Sequence, residues 1–217
     1  MTDFNAARIA MVDCQVRPSD VTRYPIIEAM LNVAREEFVP PSLRNVAYAG
    51  DHIPLAPGRV VLDPRVMGKM LDLAEIQPSD LVLDIGSGLG YGTALMGHMG
   101  EAVVAVEEIE ELACDAARIL AEQDAMNVVV ETGPLVAGAA AHGPYDVIMI
   151  EGAIEALPDA ITAQLKQGGR LVTLVHEDGV SQCRMATKSG SGLSWRRAFD
   201  ATAPVLPGFE AEKSFEF

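Results

Sequence analysis

The stretch Leu81-Val82-Leu83-Asp84-Ile85-Gly86-Ser87-Gly88-Leu89-Gly90-Tyr91-Gly92-Thr93 decides the fold. Its first five residues read as a short buried strand in which Asp84 alone interrupts the apolar run. Glycine then recurs at 86, 88 and 90, and a helical run begins at Thr93. A strand, a glycine turn and a helix in that order open a βαβ unit. Glycines let the backbone bend tightly and come close to a ligand. In open parallel sheets, ligands bind outside the carboxyl ends of the strands, where this turn falls.

The pattern repeats downstream. Val103-Val104-Ala105-Val106 reads as a second strand ending at Glu107, and residues 112–123 as a helix. Val128-Val129-Val130 is a third strand and residues 145–150 a fourth. A helix over 161–165, stopped by Gly168-Gly169, leads to a fifth strand over 170–175. Right-handed crossovers put helices on both faces of such a sheet. The expected class is therefore α/β, a doubly wound, mostly parallel, Rossmann-like sheet. Lys188-Ser189-Gly190-Ser191-Gly192 reads as a hairpin tip, and the tail as a last antiparallel pair near 197–201 and 212–217.

Upstream, residues 1–50 read as a helical extension. Ile9, Val12 and Val16 share one helical face, and a second helix carries Ile26, Ile27, Met30, Leu31, Val33 and Ala34. Pro40-Pro41 is expected to end that helix, because proline cannot continue it. Residues 51–64 read as a proline-rich loop with one short strand at Val60-Val61-Leu62. Residues 65–74 read as a helix with Met67, Met70, Leu71 and Ala74 inward. The expected organisation is a single domain, 1–217, with residues 1–78 in front of a core, 79–217.

Composition narrows the function. The chain is 49% hydrophobic but only 5% aromatic, so its core is aliphatic, as buried parallel strands usually are. Sixteen Lys and Arg face 31 Asp and Glu, a formal charge of −15 that repels polyanions and makes nucleic acid a poor partner. The densest basic group, Trp195-Arg196-Arg197, reads as a solvated turn. Cys14, Cys114 and Cys183 are odd in number and far apart, as in a reducing cytoplasm. Residues 1–13 lack a basic region followed by an apolar run, and no stretch approaches the roughly 18 apolar residues of a membrane span. His52, His98, His142 and His176 show no metal-ligand spacing; only His52 is a candidate acid or base.

The turn itself selects the ligand. Tyr91 stands where a dinucleotide fingerprint would put a third glycine, and Asp84 would repel a pyrophosphate. S-adenosylmethionine has no phosphate; it carries a sulfonium and an α-ammonium. Asp84 can attract that ammonium, while Gly86, Ser87, Gly88 and Gly90 lie along the methionine moiety. Glu107, ending the next strand about 20 residues on, suits the two ribose hydroxyls. The alternative is a helix-start acid, since Glu108, Glu110 and Glu111 crowd the same turn.

Several further elements resemble one family across nearly the whole chain. They are Gln15-Val16-Arg17-Pro18, Arg35-Glu36-Glu37-Phe38-Val39-Pro40, Ala47-Tyr48, the glycine turn, and Gln164-Leu165-Lys166-Gln167-Gly168-Gly169-Arg170-Leu171-Val172. The chain is similar to protein-L-isoaspartate O-methyltransferases, class I enzymes that use S-adenosylmethionine. The resemblance implies an N-terminal segment that helps cover the substrate groove, and a protein or peptide carboxylate as acceptor. Gly133 and Pro134 would then lie at the adenine end of the cofactor. Three positions depart from the family. Leu62 stands for its active-site serine, Pro134 for the aspartate that meets the adenine amino group, and Glu151-Gly152-Ala153 for its Thr-Ala-Ala. No catalytic residue is assigned.

Overall fold

In the computed structural model, which describes residues 3–190 and 192–211, the glycine turn leaves the central strand of a seven-stranded sheet. That strand is β3 (Leu81–Ile85). The short hairpin β1 (Ile53–Ala56) and β2 (Arg59–Val61) precedes it and forms its own two-stranded sheet. The main sheet continues with β4 (Ala102–Glu107), β5 (Val128–Thr132), β6 (Tyr145–Ile154), β7 (Leu165–Glu177), β8 (Val180–Ser189) and β9 (Gly192–Asp200). Their order is β5-β4-β3-β6-β7-β8-β9. The pairs from β5 through β7 are parallel, and β8 and β9 are added antiparallel. The connection reverses direction at β3, so a switch-point crevice lies between the carboxyl ends of β3 and its neighbours.

Alternation along the strands divides the core in two. Val82, Val147, Met149 and Val172 join one apolar cluster, and Leu83, Ile85, Ile148, Ile150 and Leu171 the other. The first is covered by α1 (Phe4–Met11), α2 (Tyr24–Asn32), α3 (Pro64–Ala74), α4 (Tyr91–Gly97) and α5 (Glu110–Glu122). A short helix, α6 (Asp159–Ala163), contributes Ile161 to the second. Helix α3 starts as its sequence predicts. Pro64 is its first residue, and Asp63 Oδ1 accepts from the amides of Arg65 and Val66. Met67, Met70, Leu71 and Ala74 are all buried on it.

Several expectations need correction. Helix α2 stops at Asn32, well before Pro40-Pro41, and Val33 is already extended. The chain leaves the helix there so that the Arg35 side chain can turn inward to carbonyls of later segments. Ile9 is exposed while Met11 takes the inward position, because α1 passes into a wider turn over Val12–Val16. Gly168-Gly169 does not end a helix: α6 ends at Ala163, and the glycines lie inside β7 where its register with β6 shifts. The proline-rich loop holds two strands, β1 as well as β2, and Leu62 follows the second. Strand β8 was read as no element at all, and Trp195-Arg196-Arg197 lies within β9 and not in a turn. The tip at 188–192 is a hairpin, closed by Ser189 pairing with Gly192. The expected strand at 212–217 lies outside the described residues.

Candidate functional site

Gly86, Gly88 and Gly90 all have positive φ (79°, 56° and 90°), the left-handed region where a side chain is strained. The turn therefore has the shape its glycines imply. Its amides, however, face inward. The N–H groups of Gly86 and Ser87 both reach Val106 O, at 2.9 and 3.4 Å, and Gly90 N–H reaches Ser87 O at 2.8 Å. Gly88 N–H donates to Glu107 Oε2 at 3.1 Å. Every residue from Val82 to Gly90 is buried.

Glu107 is fully engaged. Arg59 Nε donates to both carboxylate oxygens at 3.1 Å, and Ile109 N–H donates to Oε1 at 3.0 Å. The side chains of Arg59 and Glu107 are 1% and 0% exposed. Arg59 Nη2 also meets Glu108 at 3.1 Å. Arg59 stands at the start of β2, and its hairpin partner strand lays Leu55 on the glycine turn. A Cβ placed on Gly88 would lie 2.6 Å from Leu55 Cδ1. The tail after β9 closes the other side. Leu206 N–H and Pro204 O bond to Ala153 O and N at 2.9 Å. That seats Leu206 against Gly86 and Gly152; a Cβ on Gly152 would lie 2.5 Å from it.

Asp84 lies beneath this lid. Thr93 Oγ1 donates to its Oδ2 at 2.6 Å. Its other oxygen, and Oε1 of Glu151, have no protein donor among the described residues. The two carboxyls are electrostatic neighbours, and each alters the ionisation of the other. Burial pushes Asp84 up to about 7, against the opposing effect of the Thr93 bond. Burial, then the neighbouring Asp84 charge, holds Glu151 well above the usual carboxylate range, with Arg35 opposing. Glu151 reaches over α4 at Gly92, where any side chain would overlap its carboxylate.

The predicted ligand residues thus come together in space but are not presented to a ligand. Asp84, Gly86, Ser87, Gly88, Gly90 and Glu107 line one continuous buried turn. Gly133 closes onto it through its N–H to Glu107 O at 3.1 Å, and Pro134 is exposed beside it. As arranged, these residues do not fit S-adenosylmethionine. The carboxylate meant for ribose hydroxyls is spent on Arg59, and Leu55 and Leu206 cover the glycines. Arg59 was missed by sequence reasoning; its only signal was that no other Lys or Arg stands between Arg44 and Arg65.

Leu62 is fully buried, and its carbonyl accepts from Arg35 Nη2 at 2.8 Å. Beside it opens a cavity of about 730 Å³ lined by His52, Asp63, Arg65, Lys69, Phe199 and Thr202, among others. His52 is no free acid or base. Its Nδ1 accepts from Asp63 N–H at 2.8 Å, and its Nε2 lies 2.7 Å from Thr202 O.

Comparison with known proteins places these features. The model of the family "Protein-L-isoaspartate(D-aspartate) O-methyltransferase" matches residues 10–202. The chain is 36% identical to a protein-L-isoaspartate O-methyltransferase of Koribacter versatilis over 96% of this chain and 94% of that one. It is 33% identical to the enzyme of the same name from Methylorubrum populi, over 97% and 99%. Among solved structures, one from Plasmodium falciparum, described as a protein-L-isoaspartate O-methyltransferase in complex with S-adenosyl-L-homocysteine, superposes with a TM-score of 0.79. It shares 17% identity over 95% of this chain and 99% of that one. Another protein-L-isoaspartate O-methyltransferase also gives 0.79, at 22% identity, and this chain spans 65% of its length. Those two likenesses establish the fold.

Proposed function

The chain belongs to the protein-L-isoaspartate(D-aspartate) O-methyltransferase family, and on that premise we propose that it is an S-adenosylmethionine-dependent carboxyl methyltransferase with low turnover on isoaspartyl peptides. The observation that supports the activity is the glycine turn after β3, where three left-handed glycines adjoin Asp84 in a chain of this family. The residues we assign to the donor side are Asp84, Gly86, Ser87, Gly88, Gly90, Glu107, Gly133 and Pro134. The acceptor we assign is a protein or peptide carboxylate entering from the cavity beside Asp63, with residues 1–78 covering it.

A carboxylate is already a nucleophile, so its transfer needs orientation more than a general base. Leu62 offers no hydroxyl to orient it, and Glu151 holds a buried carboxyl beside Asp84. The charge of −15 disfavours a nucleic-acid acceptor. No described helix is long and apolar enough to cross a membrane. With three free cysteines, a cytoplasmic setting suits the chain.

The test is release of labelled methanol from an isoaspartyl peptide incubated with methyl-labelled S-adenosylmethionine. Turnover about 100-fold below that of a relative is expected, the usual cost of a misplaced reactant. Leu62→Ser combined with Glu151→Thr should raise it. Wild-type turnover equal to the relative's would overturn the low-activity reading.

A further inference from the structure

The glycine turn and the groups lying on it come from three separate parts of the chain. The β1–β2 hairpin supplies Leu55 and Arg59, the tail supplies Leu206, and the end of β4 supplies Glu107. All three are in register with the turn. Leu55 sits on Gly88 and Leu206 on Gly86, while Arg59 makes a two-oxygen ion pair with the one carboxylate that ends the strand beside the turn. Gly152 is part of the same fit. A Cβ placed there would lie 2.5 Å from Leu206.

We propose that this chain carries its own competitor for the methyl donor: Arg59 occupies the Glu107 carboxylate in place of ribose hydroxyls, and the β1–β2 hairpin must lift before an adenosyl ligand can enter. The inference rests on the donor reading given above. The chemistry favours Arg59 as the moving part over the turn. Glu107 keeps two amide donors, Gly88 N–H and Ile109 N–H, when the guanidinium leaves. The hairpin is a two-stranded sheet of its own, hydrogen-bonded to no strand of the main sheet, and so can shift without breaking a ladder there. Arg59 Nη2 also holds Glu108, so the cation withdraws from two carboxylates at once and leaves an acidic rim.

Binding of S-adenosylhomocysteine, measured by calorimetry, tests this without any turnover. Three proteins are compared: wild type, Leu55→Ala and Arg59→Gln. Leu55→Ala leaves the ion pair intact, so it keeps the test open should Arg59→Gln fail to fold. Each variant should bind at least about tenfold more tightly than wild type. Amide exchange over residues 53–61 in the wild type should speed up when ligand is added. Equal affinity in wild type and both folded variants would overturn the lock while leaving the donor reading in place. No binding by any of the three at millimolar ligand would overturn the donor reading and the lock with it.

Discussion

Two arginines in this molecule are almost wholly buried, and they behave differently. Arg35 spends its guanidinium on backbone. Its Nε reaches Ala47 O at 2.7 Å, its Nη2 reaches Leu62 O at 2.8 Å, and its plane lies 4.7 Å from the centre of the Tyr91 ring. Arg59 spends its guanidinium on carboxylates, Glu107 and Glu108. The first ties three segments of the N-terminal region to α4. Neighbouring residues of the same Arg-Glu-x-Phe-Val-Pro element do likewise. Glu36 receives Arg8 at 3.0 Å as well as the Tyr48 hydroxyl, and Phe38 packs on Tyr91 at 5.9 Å between ring centres. Arg35, Glu36 and Phe38, which carry the family resemblance in this region, are structural ties. The second arginine stands outside that element and closes a site. Family resemblance here reports on how the chain is held together; what the donor turn can reach is decided by residues outside it.

Replacing both arginines tests that contrast most severely. Arg35→Met leaves two buried carbonyls without donors and removes the cation nearest Glu151, a loss expected at about 3–5 kcal/mol of unfolding free energy. Arg59→Met should cost less, about 1–3 kcal/mol, because Glu107 retains two amide donors and the hairpin above it can admit water. Urea denaturation of both variants measures the difference. Equal losses would mean that Arg59 is a structural tie as well, and the contrast would fail.

Gly92→Ala probes the turn's far side. The new methyl meets the Glu151 carboxylate and, at 2.9 Å, the flexible end of Met67. Overpacking of this kind costs about 1–3 kcal/mol. In a Glu151→Thr background the cost should fall, since only the contact with the flexible end of Met67 remains. A double-mutant cycle reads the coupling directly. An undiminished cost would show that Gly92 is required by the helix and not by Glu151.

What could be read in the sequence follows from the range of each interaction. Strands β3 and β4 and the apolar stretches inside β6 and β7 are buried on both faces, so Val82, Val104, Ile148 and Leu171 announce themselves locally. The turn is legible for the same reason, because Gly86, Gly88 and Gly90 state a backbone geometry by themselves. Helix α2 was drawn too long because apolar spacing continues through Val33 and Ala34, while the carbonyls that pull Arg35 inward lie 12 and 27 residues away. Strand β8 was missed because Ser181 and Gln182 are polar yet buried, and pairing with strands distant in the local pattern, β7 and β9, explains them. Arg59 finds its partner 48 residues downstream, and nothing near it in the chain says that it is inside.

The carboxyl pair of Asp84 and Glu151 joins the two regions, since Glu151 feels both Arg35 and Asp84. It yields the smallest and finest of the expected effects. Asp84 titrates near 7 in the folded chain, against a usual value near 3.9 when unfolded. Between those values the folded state holds a proton that the unfolded state has lost. Stability from this group is therefore complete below about pH 4 and declines as pH rises through 7. Glu151, held above the usual carboxylate range by burial and by Asp84, acts in the same direction. From pH 6 to pH 7 the loss expected from Asp84 alone is roughly 1 kcal/mol, just under the limit for one proton. The double variant Asp84→Asn, Glu151→Gln removes both titrations and keeps the shapes, so its stability should stay flat where the wild type falls. Urea midpoints at pH 5, 6, 7 and 8 for the two proteins decide it. Parallel curves would mean that the two carboxyls are solvated and ionised at neutral pH. Asp84 would then be open to a cationic ligand after all, and the lid over the turn would have to be looser than Leu55, Arg59 and Leu206 make it.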